Sequence, residues 1–265
     1  MTRFGLAEAE IGRLVGGVCA EAPLAPPDAD RAFARAAWSL LAEPGDRAAG
    51  LLITALGPDA ALDALLRDES PEFLARRIDP AGSADRPRLQ RELDDGCRRW
   101  RPRLRSGDVV QALVAAAGTR TRLLLPDDAL WPGGVDDLGV HAPIALWVRG
   151  VDDALLGLDR SIALVGARAA SLYGEQIATD TASGLADRGL TIVSGAAYGI
   201  DGMAHRSALA SGGLTIAFLA GGVDRFYPAG HDDLLSRIAS VGAVISELPC
   251  GSQPTKWRFL QCNPQ

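Results

Sequence analysis

The residues best suited to chemistry stand directly behind four short apolar runs, at 161–165, 190–193, 214–219 and 243–246. The first run gives way to Gly166, Ala167 and Arg168. The second leads into Ser194 and Gly195, then Ala196, Ala197, Tyr198 and Gly199. The third ends in Ala220, Gly221 and Gly222, the fourth in Ser246 and Glu247. Glycine at a strand end lets a ligand approach the backbone, and a helix start beyond it leaves N–H groups open to a phosphate. Taken singly, each glycine has a plainer use in a tight turn. Three such turns in series point to a phosphate-binding crevice along one sheet edge. Arg168 adds a guanidinium suited to two-point contact with a phosphate, or else to a surface salt bridge.

Other chemistries find less support. Gly166-Ala167-Arg168 lacks the second glycine of a dinucleotide fingerprint, and no acid follows the run at 190–193 to hold a ribose. A Walker A loop is absent. Asp201 and His205 are four apart, one helical turn, which suits a metal pair, an acid–base pair or a helix cap with its neighbour. Glu247 is a candidate carboxylate with no second acid at a telling spacing. Cys19, Cys97, Cys250 and Cys262 make no CxxC pair. Neither a metal nor a cofactor is expected.

The elements that must position these residues follow from the pattern around them. Between the apolar runs lie helical candidates near 171–188, 200–211 and 232–240. Short strands alternating with helices signal a parallel sheet with helices on both faces. Runs at 122–126 and 144–148 add two strands upstream. Before them, residues 1–117 read as short Ala- and Leu-rich helices, broken at Pro44-Gly45-Asp46 and Gly57-Pro58-Asp59. Residues 23–27 read as a loop and 79–85 as a linker. The window 97–105 carries five arginines and Trp100. It suits either a grip on phosphates with a stacked base or a solvated helix face, since Glu92, Asp94 and Asp95 offset its charge. The expectation is an α/β chain: a small helical N-terminal domain over 1–117, then a Rossmann-like, doubly wound parallel sheet over 118–265.

Composition bounds the function. The chain has 265 residues, 48% of them hydrophobic, a net charge of −6 and a pI near 5.1. That acidity argues against coating duplex DNA by charge alone. No run reaches the roughly 18 apolar residues a membrane span needs, and no signal peptide is evident. A cytoplasmic protein with no membrane partner is expected.

The motifs resemble one family. Residues 161–168 with Tyr173-Gly174 are similar to the opening of the Rossmann-like domain of the DprA (DNA processing protein A, also called Smf) family. Residues 192–201, with Ala204-His205 and Ala208-Leu209, resemble its most specific signature. Gly213 to Ala217, Gly221 to Asp224, Tyr227-Pro228, Ile245 to Glu247 and Pro254 continue in order. The resemblance covers residues 120–263 well and the helical front weakly. It implies a single-stranded DNA-binding protein that protects the strand, dimerises and helps load the RecA recombinase, without catalytic activity. By motif, Gly166, Ala167 and Arg168 would line the strand-binding pocket and Ser194 and Gly195 its floor, with Gly221 and Gly222 on the same edge. The family's closing motif carries two phosphate-binding arginines, and here Cys262 and Pro264 stand in their places around Asn263. Lys256 and Arg258 are the candidates to compensate, and the family's next helix and winged-helix module are not expected before Gln265. Two other functions stay open. One is a nucleotide-processing enzyme of a related superfamily, although the P-G-G-x-G-T-x-x-E run is missing. The other is a protein-interaction module with a degraded DNA site.

Overall fold

The computed structural model describes residues 2–19, 24–255 and 257–258. A short antiparallel pair, β1 (Thr2–Arg3) and β2 (Leu6–Ala7), precedes seven helices. These are α1 (Glu8–Gly16), α2 (Pro26–Leu41), α3 (Arg47–Leu56), α4 (Pro58–Leu66), α5 (Pro71–Ile78), α6 (Arg86–Trp100) and α7 (Ser106–Gly118). Their starts are written locally. Asp46 accepts hydrogen bonds from Ala48 N and Ala49 N at 3.1 and 3.3 Å, and so caps α3. Gly57, at φ +82°, ends α3, and Pro58 opens α4 directly behind it. Ser70 caps α5 ahead of Pro71. Of the stretch 23–27 expected as a loop, Pro26 and Pro27 instead open α2, a position where a missing N–H costs nothing, and Pro23 lies outside the described residues. No single described helix is long and apolar enough to cross a membrane, and the apolar pair α3 and α4 is bent by 109°.

The arginine-rich window braces this helical layer. Arg98 pairs with Asp94, Arg99 with Asp46 at 2.9 Å, Arg101 with Asp68 at 2.9 Å and Arg103 with Glu43 at 2.9 Å. Trp100 is fully buried, donates to Asp46 at 3.1 Å and meets Trp38 edge-on with centroids 5.3 Å apart. Through Arg99, Arg101 and Arg103 the window ties the end of α6 to Asp46, Asp68 and Glu43 of the neighbouring helical segments.

A six-stranded sheet follows, from β3 (Arg122–Leu124), β4 (Leu146–Gly150), β5 (Ser161–Ala163), β6 (Thr191–Ser194), β7 (Thr215–Phe218) and β8 (Ala243–Ser246). The order is β3-β4-β8-β7-β6-β5; β5 to β8 are mutually parallel, and β3 and β4 are antiparallel additions. This is the expected α/β, Rossmann-like class, but the helices expected on both faces of the parallel strands stand on one. The crossovers are α8 (Leu172–Ala186), α9 (Ile200–Ala210) and α10 (Asp232–Val241). Strands added in one direction by right-handed crossovers put their helices on one face. Accordingly Ile192 packs on Ala182, Ala204 and Ala208, while Ala217 and Val244 share a core with Leu234, Leu235 and Ile238. The opposite face is covered by Leu130, Trp131 and the 3-10 turns of Asp152–Arg160, through Ala154 and Leu155.

Helical layer and sheet share one core, in which Phe33 and Trp38 join Leu123, Trp147, Ala217 and Val244. Each large apolar side chain buried there contributes about 1.5–3 kcal/mol. Trp147 reaches across to donate to Ser39 Oγ at 3.2 Å, and Arg35 donates to the Ile144 carbonyl at 2.7 Å. The parallel strands are thus held rigidly enough for their carboxyl ends to carry fixed turns.

Candidate functional site

Two turns at the carboxyl ends of β5 and β6 meet. In the first, Gly166, Ala167 and Arg168 are all exposed. In the second, Ala196 lies at φ +55° and Gly199 at φ +76°, which folds the chain back before α9. Ile200 N donates to the Ala167 carbonyl at 3.2 Å. Asp201, 3% exposed, accepts from Gly166 N through one carboxylate oxygen and from Ala197 N through the other, each at 3.3 Å. A Cβ on Gly199 would sit 2.6 Å from the Arg168 carbonyl oxygen, so only glycine permits this approach.

These bonds change what the turns can offer a ligand. The N–H groups at the start of α9 were expected to stand open for a phosphate. Instead Ile200 N and Ala197 N are taken by the protein's own carbonyl and carboxylate. Ser194 is buried, its hydroxyl donating to the Leu164 carbonyl at 2.6 Å, so it ties β6 to β5 beneath the turn. Gly195 is half-buried beside it.

The third turn is closed. Gly221 and Gly222 are buried under residues 249–254, and Gly222 N donates to the Ser252 carbonyl at 2.9 Å. Their small size serves this packing: a Cβ on Gly222 would meet the Pro249 carbonyl oxygen at 2.8 Å. The expectation that they face a ligand is corrected on that ground. Arg258 is likewise committed elsewhere. Its guanidinium grips Glu43 at 2.8 and 3.1 Å and donates to the Gln253 carbonyl at 2.9 Å, which binds the chain's last described residue to the end of α2. Arg103 and Arg258 together hold the Glu43 carboxyl below the usual carboxylate range, against the opposing effect of burial. Lys256, Cys262, Asn263 and Pro264 lie outside the described residues.

Asp201 and His205 share a helix face without forming a pair. Asp201 serves the turns. His205 is fully buried, with Nδ1 2.7 Å from Thr215 Oγ1, whose hydroxyl donates to the Ile192 carbonyl at 2.8 Å. Burial, and then the neighbouring His231, depress its pKa to about 3, so it is neutral at ordinary pH. His231 is buried too, and its Nδ1 lies 3.0 Å from the Ala196 carbonyl. Among the described residues no group of three or more His, Cys, Asp or Glu side chains is placed to hold a metal. Glu247 faces a small cleft with Ser39, Glu43, Gly45 and Asp46, at the join of sheet and helical layer. Burial raises its pKa to about 7.

Side chains that the spacing argument passed over are exposed on the strand-end segments. All three tyrosines of the chain sit on strand-end segments: Tyr173 in the first turn of α8, Tyr198 after β6 and Tyr227 after β7. They are 76%, 48% and 46% exposed. Tyr198 packs edge-on against His231 at 4.8 Å, with its hydroxyl end close to Gly230. Arg206 and Arg225 are exposed in α9 and after β7. The missed signal was compositional, because so few tyrosines all following strands is itself a pattern.

A model of the DNA recombination-mediator protein A family matches residues 122–264, more than half of the chain. The chain belongs to this family, which is the DprA/Smf family. It is similar to DNA processing protein DprA of Mycobacterium tuberculosis, 39% identical over 240 residues, which are 86% of this chain and 56% of that protein. It is also similar to DprA of Bacillus subtilis, 37% identical over 121 residues, or 46% and 40% of the two chains. The chain thus spans about half the length of the curated relatives it matches. A solved structure of DNA processing protein A from Streptococcus pneumoniae superposes with a TM-score of 0.58 at 25% identity, covering 87% of this chain and 71% of its own.

Proposed function

We propose that this chain binds single-stranded DNA across the strand-end surface, as a binding protein and not an enzyme. Gly166, Ala167 and Arg168 receive a backbone phosphate there. Ser194 and Gly195 support them from below, and the exposed tyrosines offer rings on which unpaired bases stack. The observation that carries this reading is the exposed Gly166-Ala167-Arg168 turn, held on a rigid floor and flanked by exposed Tyr173 and Tyr198. Family membership supports DNA as the guest, and an acidic chain with one local basic turn suits a single strand better than a duplex. Residues 118–265 form the binding portion and residues 1–117 its helical support. In the cytoplasm, as a homodimer, the protein covers the strand and assists loading of the RecA recombinase.

The test is binding of a labelled single-stranded oligonucleotide over a salt series. Affinity falls as salt rises, and Arg168→Ala lowers the log–log slope by about one, the signature of one lost phosphate contact. An unchanged slope in Arg168→Ala, or no binding by the intact chain at low salt, refutes the assignment.

A further inference from the structure

We propose that Asp201 is a positioning residue for the Arg168 turn: its carboxylate sets the placement of the turn after β5 against the turn after β6, without touching a ligand. The inference rests on the DNA-binding reading above.

The geometry is that of a two-ended brace. One oxygen takes Gly166 N from the first turn and the other takes Ala197 N from the second. The brace stands on a fixed base. Asp201 lies in the first turn of α9, where the helix dipole favours a carboxylate. Helix α9 is itself anchored to the sheet by His205 on Thr215 and to α8 by Ser207 Oγ, which donates to the Thr179 carbonyl at 2.7 Å. Arg168 is two residues beyond Gly166, so a shift at Gly166 moves the guanidinium directly. The Ile200 N bond to the Ala167 carbonyl is a second tie, yet it constrains the turn from one side only. Asparagine at 201 keeps the shape but loses an acceptor. Its N–H then faces one of the two backbone N–H groups, which is left without a partner.

The deciding experiment is a double-mutant cycle on the full chain with a single-stranded oligothymidylate as probe. Asp201→Asn is expected to weaken binding about five- to tenfold beside Arg168, and less than about twofold in the Arg168→Ala background, because coupled residues are not additive. Equal losses in both backgrounds, or wild-type binding by a folded Asp201→Asn protein, overturn the proposal. Amide hydrogen exchange supplies a readout free of DNA. The Gly166 and Ala197 amides exchange faster in Asp201→Asn while those of β6 and β7 stay protected, and unchanged exchange at Gly166 overturns the proposal outright. If the wild-type chain binds no oligonucleotide, the DNA-binding reading fails alone and the exchange result still judges the brace. Where Asp201→Asn does not fold, Asp201→Glu carries the same cycle. A loss of about two- to threefold, present beside Arg168 and absent without it, is then expected, and an equal loss in both refutes it.

Discussion

Replacing Gly199 by alanine tests the close approach of the two strand-end turns. Gly199 lies at φ +76° and ψ −127°, outside even the left-handed helical region that other residues sometimes visit. Forcing alanine there costs about 1–3 kcal/mol in backbone strain. The new Cβ also falls 2.6 Å from the Arg168 carbonyl oxygen and nearer still to that of Ala167. Both are backbone atoms of a braced turn, so relief means moving the turn, for roughly another 1–3 kcal/mol. The sum, about 2–6 kcal/mol, is a large share of a typical stability of about 5–15 kcal/mol. At about 2–4 °C per kcal/mol for a chain of this size class, the thermal midpoint drops by on the order of 10 °C. Gly189→Ala is the matched control. It has φ +73°, but a Cβ there meets nothing within 4 Å, so it bears the strain alone, about 1–2 kcal/mol. Both are measured by urea titration and thermal melting of the purified chain. Equal losses in the two variants would show that the turns can part at no cost, and the reasoning about their contact would be wrong.

Other outcomes follow from the same geometry. Arg258→Ala removes the two-point grip on Glu43 and is expected to cost about 1–2 kcal/mol in urea titration while leaving the salt slope of oligonucleotide binding unchanged; a reduced slope would return Arg258 to the DNA. Gly222→Ala drives a Cβ against the Pro249 carbonyl and should lower stability by about 1–3 kcal/mol, again with no change in slope. Glu247 has its folded pKa raised from 4.5 to about 7, so its contribution is full below pH 4.5 and lost as pH climbs to about 7. Glu247→Gln should therefore gain on the wild type across that window, by on the order of 1–3 kcal/mol, and parallel pH–stability curves would refute this. His205 acts in the opposite sense. Its folded pKa is depressed from 6.5 to about 3, so stability is present above pH 6.5 and falls as the unfolded chain takes up a proton below it. With both groups at work, these two contributions together are greatest between about pH 4.5 and 6.5, and a midpoint that rises steadily from pH 5 to pH 8 would contradict the pair.

Local periodicity made the elements legible and left their arrangement hidden. The run at 243–246 is β8 to the residue, and the helical stretch at 200–211 differs from α9 by one. Those segments alternate apolar runs with clear breakers, so short-range pattern sufficed. Nothing short-range says that β4 runs antiparallel beside β8, because that pairing joins residues about a hundred apart. Glycine was the ambiguous letter at the site. Gly166, Gly199 and Gly222 look alike in sequence, yet one is exposed, one allows two turns to touch and one is packed under a loop. Arginine was ambiguous in the same way. Arg168 and Arg258 both suited a phosphate, and nothing near Arg258 in the chain announces that a distant acid, Glu43, takes it inside the fold.

The self-satisfied backbone at the start of α9 has one more consequence. A cradle of backbone N–H groups is nearly immune to mutation, since almost every residue carries the same donor. Here Ile200 N and Ala197 N are consumed internally, and the binding surface we propose relies on exposed side chains such as Arg168 in their stead. A grip made that way lies within reach of single codon changes. Its strength can drift or be retuned one residue at a time while the fold beneath stays as it is.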